Sequence, residues 1–163
     1  MKKRIKILNF LISFTIIFLN LSTNIFANEI NGVANITDGD TIKILNNRIR
    51  FHGIDAPENS QNCLIKSKKY NCGKIASAAL SKKISKNIVK CKVQDRKDRY
   101  KRYIGVCYIK KINLNKWMVR NGYAVAYRKY SKDYINDEEY AKKHKLGLWA
   151  GNFMSPEKWR KLN

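Results

Sequence analysis

The stretch Asp38-Gly39-Asp40-Thr41-Ile42-Lys43-Ile44-Leu45-Asn46-Asn47-Arg48-Ile49-Arg50-Phe51-His52-Gly53-Ile54-Asp55-Ala56-Pro57-Glu58 decides how this chain is read. From Asp40 to Leu45, apolar and polar side chains alternate through Thr41-Ile42-Lys43-Ile44, the period of a half-buried strand. Asn46-Asn47 is a two-residue hairpin signal, because asparagine tolerates positive φ. Arg48 to Ile54 is then the return strand, and Pro57 stops regular pairing. Counted across that turn, residue i faces residue 93 − i, so Asp40 falls near Gly53 and Asp55 lies just beyond. Two carboxylates therefore meet at one end of one sheet. Unpaired, they would repel and raise each other's pKa, which a divalent cation relieves. Oxygen-only ligands point to a hard ion such as Ca²⁺ or Mg²⁺. Arg50, on the same strand, can grip a phosphate through two N–H groups, and Glu58, beyond the proline, is free to reach a water.

Working outward, Gly32 to Thr37 is a short strand turned at Asp38-Gly39. Residues 73–86 carry a helical stripe of Ile75/Ala76, Ala79/Leu80 and Ile84. Ile88 to Val93 and Tyr103 to Ile109 form a second strand pair around the charged loop Asp95–Arg102. That loop brings a second basic cluster, Arg96-Lys97-Asp98-Arg99-Tyr100-Lys101-Arg102. Asn113 can cap a helix bearing Leu114, Trp117 and Met118, with Gly122 at its stop. Ser131 or Asp133 starts a third helix over 134–145 that ends at Gly147, and Leu146, Leu148 and Trp149 lock it onto the body. The tail from Pro156 to Arg160 reads as a short amphipathic helix used for packing rather than function. Three strands, a helix, two strands and two more helices suit a small curved barrel with helices packed on it.

The chain has 163 residues, with 34 Lys+Arg against 12 Asp+Glu. Its first residues, Met1-Lys2-Lys3-Arg4-Ile5-Lys6, are basic; an apolar run from Ile7 to Leu21 and a polar patch ending at Ala27 follow. This is the three-part layout of a secretory signal peptide, which predicts residues 1–27 as the signal and residues 28–163 as one exported domain, secreted or periplasmic, with no stable membrane span after cleavage. The signal takes four basic residues and no acid, leaving 30 basic against 12 acidic side chains, a charge of +18. Such an excess attracts polyanions: nucleic acid, anionic lipid or acidic glycan.

Cys63, Cys72, Cys91 and Cys107 form an even set in an exported chain, which argues for disulfides. Of three pairings, Cys63–Cys72 and Cys91–Cys107 are favoured, since the second pair is symmetric about Arg99 and would face across a hairpin. A zinc site is disfavoured, because the cysteines have no C-x-x-C spacing and neither histidine lies near a cysteine pair.

The motifs Asp38-Gly39-Asp40-Thr41, Ile49 to Glu58, Asp98-Arg99-Tyr100-Lys101-Arg102, Val119-Arg120-Asn121-Gly122-Tyr123-Ala124 and Leu146-Gly147-Leu148-Trp149 occur in that order. Together they resemble the staphylococcal nuclease (thermonuclease) family over residues 31–150. The resemblance implies an α+β fold, a five-stranded OB-fold barrel with three packed helices. It also implies Ca²⁺-dependent hydrolysis of DNA and RNA by a monomer, leaving 3′-phosphate ends. Carried over by motif, Asp40 and Asp55 bind Ca²⁺ through carboxylates and Thr41 through its carbonyl. Arg50 and Arg102 clamp the phosphate, and Glu58 activates or orients the attacking water. Tyr100 contacts a terminal phosphate, and Tyr127 and Tyr130 line the nucleotide pocket. Lys101 departs from the family, standing where glycine usually precedes the second arginine, so the loop carrying Arg102 is expected to differ in shape. The rival reading is a non-catalytic nucleic-acid-binding OB-fold module, with the same charge but no cleavage.

Overall fold

The computed structural model describes residues 28–163. The basic and apolar segment read as a signal peptide lies outside the described residues. Among those described, no helix is long and apolar enough to cross a membrane.

Strands β1 (Asn28–Gly32), β2 (Ala34–Asp38), β3 (Thr41–Ile44), β4 (Asn47–Phe51), β8 (Val89–Lys97) and β9 (Tyr103–Ile109) share one sheet. Their spatial order is β1-β8-β9-β4-β3-β2, and the short β10 (Ile112–Asn113) adds to β9. Strands β1 and β2 stand at opposite edges of this order, yet only Val33 separates them in the chain. The sheet must therefore curl until its edges approach, which is how the barrel is made. Gly32 makes that crossing at φ +154°, and a Cβ there would sit 2.8 Å from Ile44 Cγ2. The remaining pairs are small: β5 (Ile54–Asp55) with β11 (Val125–Ala126), and β6 (Cys63–Ile65) with β7 (Lys68–Tyr70).

Helices α1 (Cys72–Ile84), α2 (Leu114–Arg120) and α3 (Ile135–Lys143) cover the barrel. Asn71 and Asn113 cap α1 and α2, their side chains accepting N–H groups from Lys74 and Lys116. One core joins sheet and helices: Ile42, Ile44, Ile49, Phe51, Leu80, Ile84, Leu114 and Met118 are all buried. This is the α+β barrel architecture expected. The sheet has more strands than five, because β1 and the small β10 add to it, and a fourth helix, α4 (Pro156–Leu162), follows a 3₁₀ turn at Gly147–Ala150.

Four local expectations are corrected. The first hairpin pairs Thr41 with Arg50 and Ile42 with Ile49, so partners sum to 91, not 93. Its turn is Leu45-Asn46, with Leu45 at φ +52°, and β4 ends at Phe51. Because the slip is two residues, every side chain keeps its face. Asp40 thus lies opposite Phe51, whose N–H donates to the Asp40 carbonyl at 2.7 Å. Finally, α3 starts after Tyr134 without a side-chain cap. Ser131 Oγ instead accepts the Asp133 N–H within the preceding turn.

Both favoured disulfides are present. Cys91 and Cys107 are register partners on β8 and β9, and Cys63–Cys72 ties the β6–β7 hairpin to the start of α1.

Candidate functional site

Asp40 follows the Asp38-Gly39 turn, where Asp38 Oδ1 accepts the Asp40 N–H at 3.0 Å. Its own carboxylate is buried. Oδ2 accepts the Ala56 N–H at 2.6 Å, and Oδ1 accepts the Thr41 hydroxyl at 3.2 Å and a bond from Arg50 Nη1. Arg50 Nη2 donates to Asp55 Oδ1 at 2.6 Å. One guanidinium therefore joins the two aspartates, and the convergence expected from the hairpin is real although its register differs.

A turn compensates for that register. After β4 ends, His52-Gly53 folds the chain back and delivers Asp55 on β5. Gly53 sits at φ +72°, and a Cβ would lie 2.8 Å from Ser131 Cβ. The fully buried Asn115 fixes this turn to β9: its Nδ2 donates to the carbonyls of His52 (2.9 Å) and Gly105 (3.2 Å), and its Oδ1 accepts the Cys107 N–H. From the other side β11 pairs Val125 with Asp55. Glu138 holds β11 to α3, accepting the Ala126 N–H at 2.9 Å and ion-pairing with Arg128 and Lys142. Sequence reading missed Asn115 and Glu138; Asn115 is a polar residue on an otherwise apolar helix face, whereas Glu138 lies on a charged helix beside the likewise buried Asp137 and carried no such signal.

Burial favours the neutral form of Asp40 and lifts its carboxyl well above the usual range; Arg50 opposes the rise, and Asp38 and Asp55 add to it. Burial also works against the Arg50 charge, but Asp40 and Asp55 outweigh it and hold the guanidinium above its usual value.

A second arginine enters from an unexpected place. Arg160 Nη1 lies 2.9 Å from Asp55 Oδ1 and 3.0 Å from Glu58 Oε1, and Nη2 lies 3.0 Å from Asp55 Oδ2. The tail helix α4 is thus part of the site, which corrects its reading as packing alone. Its start was legible, with Ser155 accepting the Lys158 N–H and Pro156 in the first turn. Its destination was not.

Arg102 and Tyr100 form a separate group. Arg102 donates to Asp98 Oδ2 through Nε (2.9 Å) and Nη2 (2.8 Å) and lies over the Tyr100 ring. Arg102 directly precedes β9, whose Tyr103 and Ile104 pair in parallel with Ile49 and Arg50 of β4. Lys101 holds φ +60°, a left-handed conformation that glycine adopts freely. Tyr127 packs edge-on against Tyr130, with centroids 4.8 Å apart. Tyr127 lines a groove with Asp55, Lys129, Trp149, Phe153 and Glu157, while Tyr130 is exposed.

Among the described residues, no three His, Cys, Asp or Glu side chains gather closely enough to ligate an ion. The cation expected here needs only two carboxylates and a carbonyl. The donor set fits a hard ion: Asp40 and Asp55 meet on one guanidinium and offer oxygen alone.

The comparisons agree with this geometry. Residues 48–151 match the family model described as staphylococcal nuclease homologue. An uncharacterized endonuclease of Haemophilus influenzae is 38% identical over 137 residues, covering 79% of this chain and 71% of the relative. A micrococcal nuclease of Shigella flexneri is 32% identical over 149 residues, 80% of each chain. The succinoglycan biosynthesis protein ExoI of Rhizobium meliloti is 35% identical over 127 residues, 76% of this chain and 66% of its own. The chain belongs to the staphylococcal nuclease family.

Proposed function

We propose that this protein is an exported nuclease that hydrolyses phosphodiester bonds of DNA and RNA with Ca²⁺ and leaves 3′-phosphate ends. The observation that carries the reading is the Arg50 guanidinium held between Asp40 and Asp55, with Glu58 brought to the same carboxylate by Arg160. Asp40, Asp55 and the Thr41 carbonyl would hold the ion. When bound, Ca²⁺ supplies charge that polarises a phosphoryl oxygen. Arg50 binds the phosphate and stabilises the negative charge that grows as water attacks phosphorus. Arg102, just ahead of the strand that pairs with β4, is the second clamp and must exchange Asp98 for the phosphate. Glu58 orients the water. The P–O5′ bond breaks, its electron pair leaves with the 5′ oxygen, and the proton lost by water ends on that oxygen. Tyr100 meets a terminal phosphate, and Tyr127 and Tyr130 stack on the nucleotide.

Both disulfides suit an oxidising, extracytoplasmic compartment. The basic excess draws the substrate in, and the chain acts as a monomer. The test is degradation of single-stranded DNA and RNA with Ca²⁺ and with chelator, followed by end-group analysis. Cleavage that survives chelation, or products with 5′-phosphates, would overturn this mechanism. Salt-sensitive binding without cleavage would establish the binding-module reading instead.

A further inference from the structure

Helix α4 lies beyond the residues matched to the family, yet its Arg160 occupies both oxygens of Asp55 and one of Glu58. Asp55 already accepts Arg50. Around this point three carboxylates (Asp40, Asp55, Glu58) face two arginines. Without Arg160, the cluster would keep only Arg50 against three acids. An arriving divalent cation would then meet a stronger field and a free Asp55 edge. With Arg160 in place, it must compete for that edge.

Release is mechanically easy. Of the seven residues of α4, only Pro156 is buried, and the Arg160 side chain is 33% exposed. The helix is anchored ahead of itself, where Gln61 Nε2 donates to the Met154 carbonyl at 2.7 Å and Leu64 pairs with Asn152. These anchors lie upstream of Arg160, so a shift of the helix end does not require breaking them.

Resting on the Ca²⁺ reading above, we propose that Arg160 is a positioning residue that serves as resident counter-ion of the cation site. It holds Asp55 and Glu58 in the metal-free protein and yields Asp55 to the divalent cation, so that loading is coupled to movement of α4. Once released, Glu58 is free to meet water, so the same exchange that admits the ion frees the group that orients the nucleophile.

Titration calorimetry with Ca²⁺ tests this on the full exported chain, comparing the parent with R160Q, R160K and the double variant D40N/R160Q. R160Q is expected to bind Ca²⁺ about tenfold tighter, the shift a lost competing ion pair of about 1.4 kcal/mol gives. R160K, which keeps the charge but loses the two-pronged grip, falls between, and D40N/R160Q loses the gain. The metal-free Tm of R160Q should fall and be recovered by Ca²⁺. Equal or weaker Ca²⁺ binding by R160Q and R160K, with the parent still binding, overturns the role of Arg160 alone. Absence of Ca²⁺ binding in the parent and both single variants overturns the Ca²⁺ reading and this proposal with it.

Discussion

Arg160 grips both oxygens of Asp55, at 2.9 and 3.0 Å, across 105 residues of sequence. Asp55 is almost wholly buried, so this contact is a charge neutralisation made from outside the barrel. Arg50 reaches the same carboxylate from within the sheet. The pair divides the work: the sheet arginine fixes where the carboxylates stand, and the tail arginine caps the side open to solvent.

Arg50→Ala separates these roles. On the nuclease mechanism proposed above it removes a donor to the reacting phosphate, and it leaves Asp40 and Asp55 facing each other without their shared guanidinium. Loss of one such transition-state donor is expected to lower kcat about a hundredfold or more, measured on single-stranded DNA. Breaking a buried pair from one side should also cost roughly 3 kcal/mol of metal-free stability by urea denaturation. A variant with near-parent kcat would remove Arg50 from the phosphate.

Asp98 gives a pH signature. Burial alone would raise its carboxyl, but N–H groups of Arg102 and Tyr100 and the Arg102 guanidinium outweigh it and hold it below the usual value. A depressed folded pKa stabilises the fold above the unfolded value, about 3.9, and that stability is lost as pH falls through the lower folded one. Asp98→Asn should therefore be less stable than the parent at pH 7, with the gap closing below about pH 4. Denaturation midpoints at three pH values measure this. A gap independent of pH would mean that hydrogen bonding, not charge, holds the loop.

The sequence announced most of the centre because its parts are local. Asp40, Arg50 and Asp55 lie within one hairpin and its exit, and alternation fixes their faces. The register was not legible, since a two-residue slip preserves both faces and leaves Ile42, Ile44, Ile49 and Phe51 all inward. Only the turn chooses, and Leu45, a poor residue for positive φ, makes it rather than Asn47. Arg160 was out of reach for a different reason. Nothing in a seven-residue amphipathic helix says which distant carboxylate its arginine will find.

The two disulfides should differ in worth. Cys91–Cys107 closes 16 residues of separation inside the main core, and Cys63–Cys72 closes 9 under a small satellite cluster. In the chain-entropy account, C91A/C107A costs about 3 kcal/mol, and C63A/C72A costs less. Denaturation of both double variants under oxidising conditions orders them. The reverse order would show that native packing, not loop closure, dominates.

Lys101 sets stability against charge. Its φ of +60° carries a steric cost of about 1 kcal/mol that glycine does not pay. Lys101→Gly should thus be more stable by up to about 1 kcal/mol, part of which is returned through the greater freedom of glycine in the unfolded chain. The same change removes one cation from the loop that presents Arg99, Tyr100 and Arg102. If that loop meets the polyanion, DNA binding by Lys101→Gly should weaken, and its log–log salt dependence should shallow by about one unit. Denaturation and salt-titrated binding read the two effects separately. A gain in stability with unchanged salt dependence would place Lys101 off the substrate path. A loss of stability would mean that the lysine stem makes contacts worth more than the strain it bears.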